Sequence, residues 1–112
     1  MSYTDRDRDS ICAHNDQARQ TLTSDRALIT LGIAALGPEA VARLVKTIAV
    51  FSDFCRANDP QEVHDSGSFD FDGTMIAFKM EYYDKSLNFH SPNAADPAVT
   101  ERVITIMRAD EY

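Results

Sequence analysis

No apolar run in this chain is long enough to span a bilayer, which excludes a transmembrane helix. The opening residues, MSYTDRDRDS, hold no hydrophobic segment of the kind a secretory signal requires, so the expected location is cytoplasmic. Cysteine occurs only at Cys12 and Cys55, and no further Cys or clustered His completes a metal-ligand spacing around either. Two reduced thiols are expected, with no metal site and no cofactor. Four glycines are scattered without any phosphate-cradling pattern. Neither a G-x-S-x-G turn nor a Cys beside a His is present, so no catalytic nucleophile can be assigned and the expectation is a non-enzyme.

Basic residues are also scarce. Eleven Lys and Arg stand against eighteen Asp and Glu, for a net charge of −7. The imbalance is uneven along the chain. Residues 1–50 hold six acids and six bases, whereas residues 51–112 hold twelve acids and five bases. Without a basic stripe to neutralise phosphates, direct nucleic-acid binding is not expected. An acidic half suits a basic protein partner, whose encounter it would accelerate, although solubility alone also accounts for such charge.

What is present fits one small globular domain over residues 1–112. Hydrophobic residues make up 44% and charged residues 26%, ordinary values for a chain with a single core. The clearest element is a hairpin closed by Asp72-Gly73, because two-residue Asp-Gly turns match the twist of the flanking strands. Strands over 64–71 and 74–83 then place Phe69, Phe71, Ile76, Phe78, Met80 and Tyr82 on one face. His64, Ser66, Ser68, Asp70, Lys79, Glu81 and Tyr83 fall on the other. Pro38 and Glu39 open a helix expected over 38–57, with Val41, Leu44, Val45 and Ile48 at helical spacing and a stop at Asn58-Asp59-Pro60. Residues 5–20 suggest a second helix with a thin apolar stripe, frayed at its start, with Asp5 and Arg8 paired on a solvated face. Residues 27–31 read as a short strand, though five apolar-rich residues also fit a helix start. Residues 85–99 form a long loop with one helical turn at Asp96-Pro97, and residues 102–109 form a last strand, apolar on both faces and therefore interior. The expected fold is α+β: a single antiparallel sheet of four strands (27–31, 64–71, 74–83, 102–109) against the long helix 38–57 and a weaker N-terminal helix.

Two functional readings follow. The first is a binding protein that uses Asp70, Asp72, Glu81, Tyr83 and Asp84 to engage a basic protein surface. The second is a small hydrolase or metal-dependent enzyme around His64, Asp65 and Glu81, with His64 and Glu81 paired across the strands and His90 folding back from the loop. A homo-oligomeric, for instance homodimeric, regulatory module using a sheet edge or the 85–99 loop is a further alternative. A calcium site over Asp59, Glu62, Asp65, Asp70 and Asp72 lacks the alternation and closing Glu of such loops.

Several segments together resemble a family of small proteins of unknown function encoded largely by alphaproteobacterial genomes, plasmids and prophages. They are Asn15-Asp16 with Arg19, Asn58-Asp59-Pro60, His64-Asp65-Ser66-Gly67, Phe78 to Asp84, Ser91-Pro92, Ala95-Asp96-Pro97, Thr100 to Met107 and Glu111-Tyr112. Phe78 and Glu81 depart from that pattern, which has Trp and Asp there. The resemblance implies no catalytic residue. Its mobile-element context implies a counter-defence inhibitor, such as an anti-CRISPR protein, as the sharpest form of the binding reading.

Overall fold

A computed structural model describes residues 4–54, 59 and 62–111. Its elements in chain order are helix α1 (Asp5–Gln20), strand β1 (Leu28–Ile29), helix α2 (Leu31–Ala34), helix α3 (Pro38–Ala49), and strands β2 (Ser66–Phe71), β3 (Thr74–Tyr83) and β4 (Glu101–Arg108). The sheet runs in the order β1-β4-β3-β2, with the helices packed on one face. This is the expected α+β architecture.

The hairpin has the predicted register, with Phe71 opposite Thr74, Phe69 opposite Ile76 and Gly67 opposite Phe78. Asp72 and Gly73 both take positive φ, 51° and 85°, as this turn demands. Gly73 N–H donates to Asp70 Oδ1 at 3.1 Å and closes it further. Gly67 is required by close approach. A Cβ there would lie 2.2 Å from Phe51 Cε1 and 2.8 Å from Phe78 Cε1.

Ile33, Val41, Leu44, Val45 and Ile48 meet Ile76, Phe78, Met80, Ile104 and Ile106 in the core, with Phe69, Phe71 and Tyr82 packed around them. The aromatic face of the hairpin and the stripe of α3 thus cover each other, which removes the largest apolar side chains from water. β4 is interior, between β1 and β3. In the 85–99 loop, Pro97–Val99 form a 3-10 turn capped by Asp96, whose Oδ1 accepts from Ala98 N–H at 2.9 Å.

Four expectations need correction. The sheet is mixed, because β1 pairs parallel with β4, Leu28 opposite Thr105 and Ile29 opposite Ile106. The strand expected over 27–31 is only two residues long, since Thr30 and Leu31 already enter α2. α3 ends at Ala49 rather than near 57; residues 50–54 are not helical, and 55–57, with Cys55, lie outside the described residues, as do Asn58 and Pro60 of the stop signal. The reason is a remote cap. The Arg19 guanidinium on α1 donates to the carbonyls of Ile48 at 3.2 Å and Phe51 at 2.9 Å, taking up the end of the helix while Phe51 and Phe54 turn back onto the sheet and onto His64. β2 begins at Ser66, so His64 is not in the strand.

Candidate functional site

α1 carries an unusual buried stripe. Ile11, Asn15 and Arg19 recur every four residues on its inner face, and the last two are polar yet only 0% and 3% exposed. Buried polar groups need partners, and here all but Asp16, which pairs with Arg19 on the same helix, come from distant segments. Asn15 Nδ2 donates to the Val63 carbonyl at 2.9 Å and to the Tyr82 hydroxyl at 2.7 Å. Arg102 Nε donates to Asn15 Oδ1 at 2.7 Å. Tyr82 Oη passes its own proton toward Asp65 Oδ2, 3.5 Å away. Burial, and then the nearby Asp59 carboxylate, raise the Asp65 carboxyl above its ordinary range.

Residues 62–65 are shaped by Asp59, itself buried, whose two carboxylate oxygens accept from the N–H groups of Val63 and His64, both at 3.0 Å. Glu62 and His64 are held at φ 60°, a conformation costly for residues with a Cβ, and the two Asp59 bonds help to hold that turn. The turn swings His64 away from the hairpin and onto α1. Its Nδ1 lies 2.9 Å from Asp16 Oδ1, and its ring stacks on Phe54 with centroids 4.0 Å apart and planes within 4°. Arg19 pairs with the same Asp16 oxygen and lies over the Phe54 ring at 4.8 Å. Arg19 Nε is buried and has no partner among the described residues.

One helical turn before Asp16, Cys12 Sγ sits 3.9 Å from Asp16 Oδ2. Burial, followed by the Asp16 carboxylate, pushes the Cys12 thiol up to about 11. It is therefore protonated at neutral pH and a weak nucleophile in this state. Asp16, Arg19, Gln20, Val50, Phe51 and His64 are among the residues lining a groove of about 630 Å³ beside this cluster.

The residues singled out from sequence divide into three places. Asp70 and Asp72 lie at the hairpin tip, where Asp70 closes the turn and Asp72 forms a two-pronged, exposed ion pair with Arg43 at 3.0 and 3.3 Å. Glu81, Tyr83 and Asp84 lie toward the other end of β3, roughly 20–33 Å away at about 3.3 Å per residue. Glu81 Oε1 is 3.5 Å from Lys79 Nζ, and Tyr83 Oη donates to Glu81 Oε2 at 3.3 Å. His90 does fold back, but onto Tyr83, with which it stacks at 5.8 Å. Thirdly, His64 and Asp65 belong to the α1 cluster. The β2–β3 ladder ends at Ser66 opposite Lys79 and the His64 ring turns to Asp16, so the His64–Glu81 pair expected across the strands does not form. The acids weighed as a calcium loop are dispersed among these places.

Sequence reasoning missed Cys12 and Asp16 as partners of His64. The available signal was the polar occupancy of core-spaced positions 15 and 19 on α1, which demands a buried polar contact from elsewhere.

No helix among the described residues is long and apolar enough to cross a membrane. A family model described as "protein of unknown function (DUF3768)" matches residues 29–111, from β1 to a C-terminal 3-10 turn at Ala109–Glu111, and leaves α1 outside the match. No curated protein and no solved structure matches the chain.

Proposed function

Because the chain belongs to the DUF3768 family, whose description assigns no function, we propose one from its surface: a non-enzymatic binding protein for a basic protein partner. The observation that carries this reading is the loop after β3. There Phe89 is 72% and Leu87 58% exposed, beside the Tyr83–His90 stack and the carboxylates of Glu81 and Asp84. Exposed large apolar side chains ringed by charge are the composition of a partner face, with aromatic anchors at its centre and acids at its rim.

The loop is ordered before any partner arrives. Asp84 Oδ1 accepts from Ser86 Oγ at 2.7 Å and Asn88 N–H at 3.2 Å, and Asp84 N–H donates to the Phe89 carbonyl at 2.8 Å. Ser91 N–H returns to the Tyr82 carbonyl at 3.0 Å. Such preorganisation lowers the entropy lost on binding. Three of the acidic-half residues, Glu81, Tyr83 and Asp84, belong to this face. Asp70 and Asp72 form a separate acidic tip that would need its own contact.

A counter-defence inhibitor directed at a basic, nucleic-acid-binding effector is the specific form we favour, since the resemblance to mobile-element proteins supplies that context. The test is pull-down against a panel of CRISPR effector complexes and other basic nucleic-acid-binding proteins, with wild type, F89S, E81K and the tip variant D70K/D72K. Capture weakened about tenfold or more by F89S and E81K, about 1.4 kcal/mol each, supports the loop face. Capture lost only in D70K/D72K moves the contact to the hairpin tip. Capture undiminished in all three removes the electrostatic reading.

A further inference from the structure

The cluster on α1 lies apart from that partner face and has a chemistry the binding reading does not use. Cys12 and Asp16 are one helical turn apart and project from the same face. His64 is brought to them by the positive-φ turn at residue 64 and is fixed by Phe54 stacking and the Asp59 bond to its own N–H. One thiol sulfur, one carboxylate oxygen and one imidazole nitrogen then lie within 4.8 Å of one another. Each is a Lewis base, and Cys12 and His64 both meet the Asp16 carboxylate.

We propose that Cys12, Asp16 and His64 form the binding site of one divalent cation of the zinc class, with a fourth position open to the adjoining groove. The donor set is mixed sulfur, nitrogen and oxygen, which suits zinc over calcium or magnesium. Tetrahedral bonds to such donors place them about 3.3–3.8 Å apart. His64 Nδ1 lies 2.9 Å from Asp16 Oδ1 and Cys12 Sγ 3.9 Å from the other carboxylate oxygen, Oδ2, and with one donor atom per residue the three lie within 4.8 Å of one another. Small rotations of half-buried side chains close the remainder. Binding replaces the thiol proton, which leaves to solvent, and the proton between His64 Nδ1 and Asp16 passes to Nε2, the other tautomer, which frees the Nδ1 lone pair and converts hydrogen-bonded contacts into ligand–ligand contacts.

Charge and support also fit. A dication with one thiolate and one carboxylate is neutral, so Arg19 keeps a single positive charge beside it. Arg19 is held independently by the Ile48 and Phe51 carbonyls and does not depend on Asp16 for its place. Asp16 and His64 line the groove, so the open position faces a space large enough for a small ligand or water. Three protein ligands with one open position is the arrangement of zinc sites that handle a ligand, rather than purely structural ones.

The test uses the full chain, stripped with chelator and titrated with Co²⁺ as a spectroscopic probe, followed by displacement with Zn²⁺. One equivalent of Co²⁺ is expected, with tetrahedral visible bands and a thiolate-to-cobalt charge-transfer band. C12S removes the charge-transfer band, and both C12S and H64Q weaken binding by about tenfold or more. H14Q, an α1 histidine outside the cluster, leaves binding unchanged. Far-UV circular dichroism checks each variant; should H64Q lose structure, the nearly isosteric C12S decides the outcome. Absence of stoichiometric binding, or a charge-transfer band that survives in C12S, overturns the site.

Discussion

Replacing Asn15 with Ala removes a side chain that satisfies three distant groups at once. The Val63 carbonyl, the Tyr82 hydroxyl and Arg102 Nε each lose a partner at 2.7–2.9 Å, in a site with no exposed surface at position 15. A buried group left unpaired costs about 1–3 kcal/mol. Tyr82 keeps Asp65, and Arg102 keeps the Ala94 carbonyl, so the three losses do not all fall at the upper end. Their sum is about 3–4 kcal/mol, a large part of the roughly 5–15 kcal/mol that holds a domain of this size folded. With a urea m-value of about 1.5 kcal/mol/M, the midpoint falls by about 2 M at unchanged slope. Tyr82→Phe alone costs about 1 kcal/mol, and the double variant costs less than the sum, because the two side chains share a hydrogen bond. A midpoint shift of about 0.5 M or less for Asn15→Ala, or strict additivity with Tyr82→Phe, would refute the network as described.

Other perturbations probe separate parts of the fold. Gly67→Ala forces a methyl into the ring edges of Phe51 and Phe78 and is expected to cost about 1–3 kcal/mol, seen as a Tm lowered by about 4–8 °C per kcal/mol; an unchanged Tm would mean those rings move freely. Arg19→Lys cannot span the Ile48 and Phe51 carbonyls together, so amide exchange in the last turn of α3 should speed up by about tenfold while the first turn is unaffected. Glu111 accepts from Arg108 N–H, Thr30 Oγ1 and Gly32 N–H, and these bonds, Arg108 first, hold its carboxyl below the ordinary range. A depressed folded-state value stabilises the fold above the unfolded-state value of about 4.5 and loses that stabilisation as pH falls through the lower folded-state value. Wild type should therefore exceed Glu111→Gln in Tm at neutral pH, and the difference should close in acid; a gap that persists at pH about 2–3 contradicts the assignment.

How much of this was legible in sequence depends on the range of each determinant. The hairpin was, because the Asp72-Gly73 turn and the alternation of Phe69, Phe71, Ile76, Phe78 and Met80 are local and agree with each other. The inner stripe of α3 and the interior place of β4 follow from periodicity in the same way. The end of α3 did not, because its cap is Arg19, about thirty residues upstream in a different helix. Nor did the direction of β1, whose two residues of strand carry no pairing information of their own. The His64 cluster was half legible. His64 and Asp65 stand out as a polar site, but the natural partner by strand register is Glu81. The positive φ at His64, held by a bond to Asp59 rather than by the strand pattern, sends the ring to Asp16 on α1 instead, forty-eight residues away. The acids of the second half look like one surface by count. In the fold, Asp72, Glu81, Glu101 and Asp110 each meet a cation, while Asp59, Asp70, Asp84 and Glu111 accept from backbone N–H groups.

The central claim is that α1 is a structural half of this site, although the family match begins only at residue 29. It supplies Asn15 and Arg19 to the buried network, and Cys12 and Asp16 to the cluster with His64. The most direct measurement is urea unfolding of the chain lacking residues 1–20, followed by near-UV circular dichroism of its tyrosines. Loss of the cooperative transition, with a collapsed near-UV signal, is the expected result. A cooperative transition at the full-length midpoint would show that α1 is dispensable and would contradict the claim.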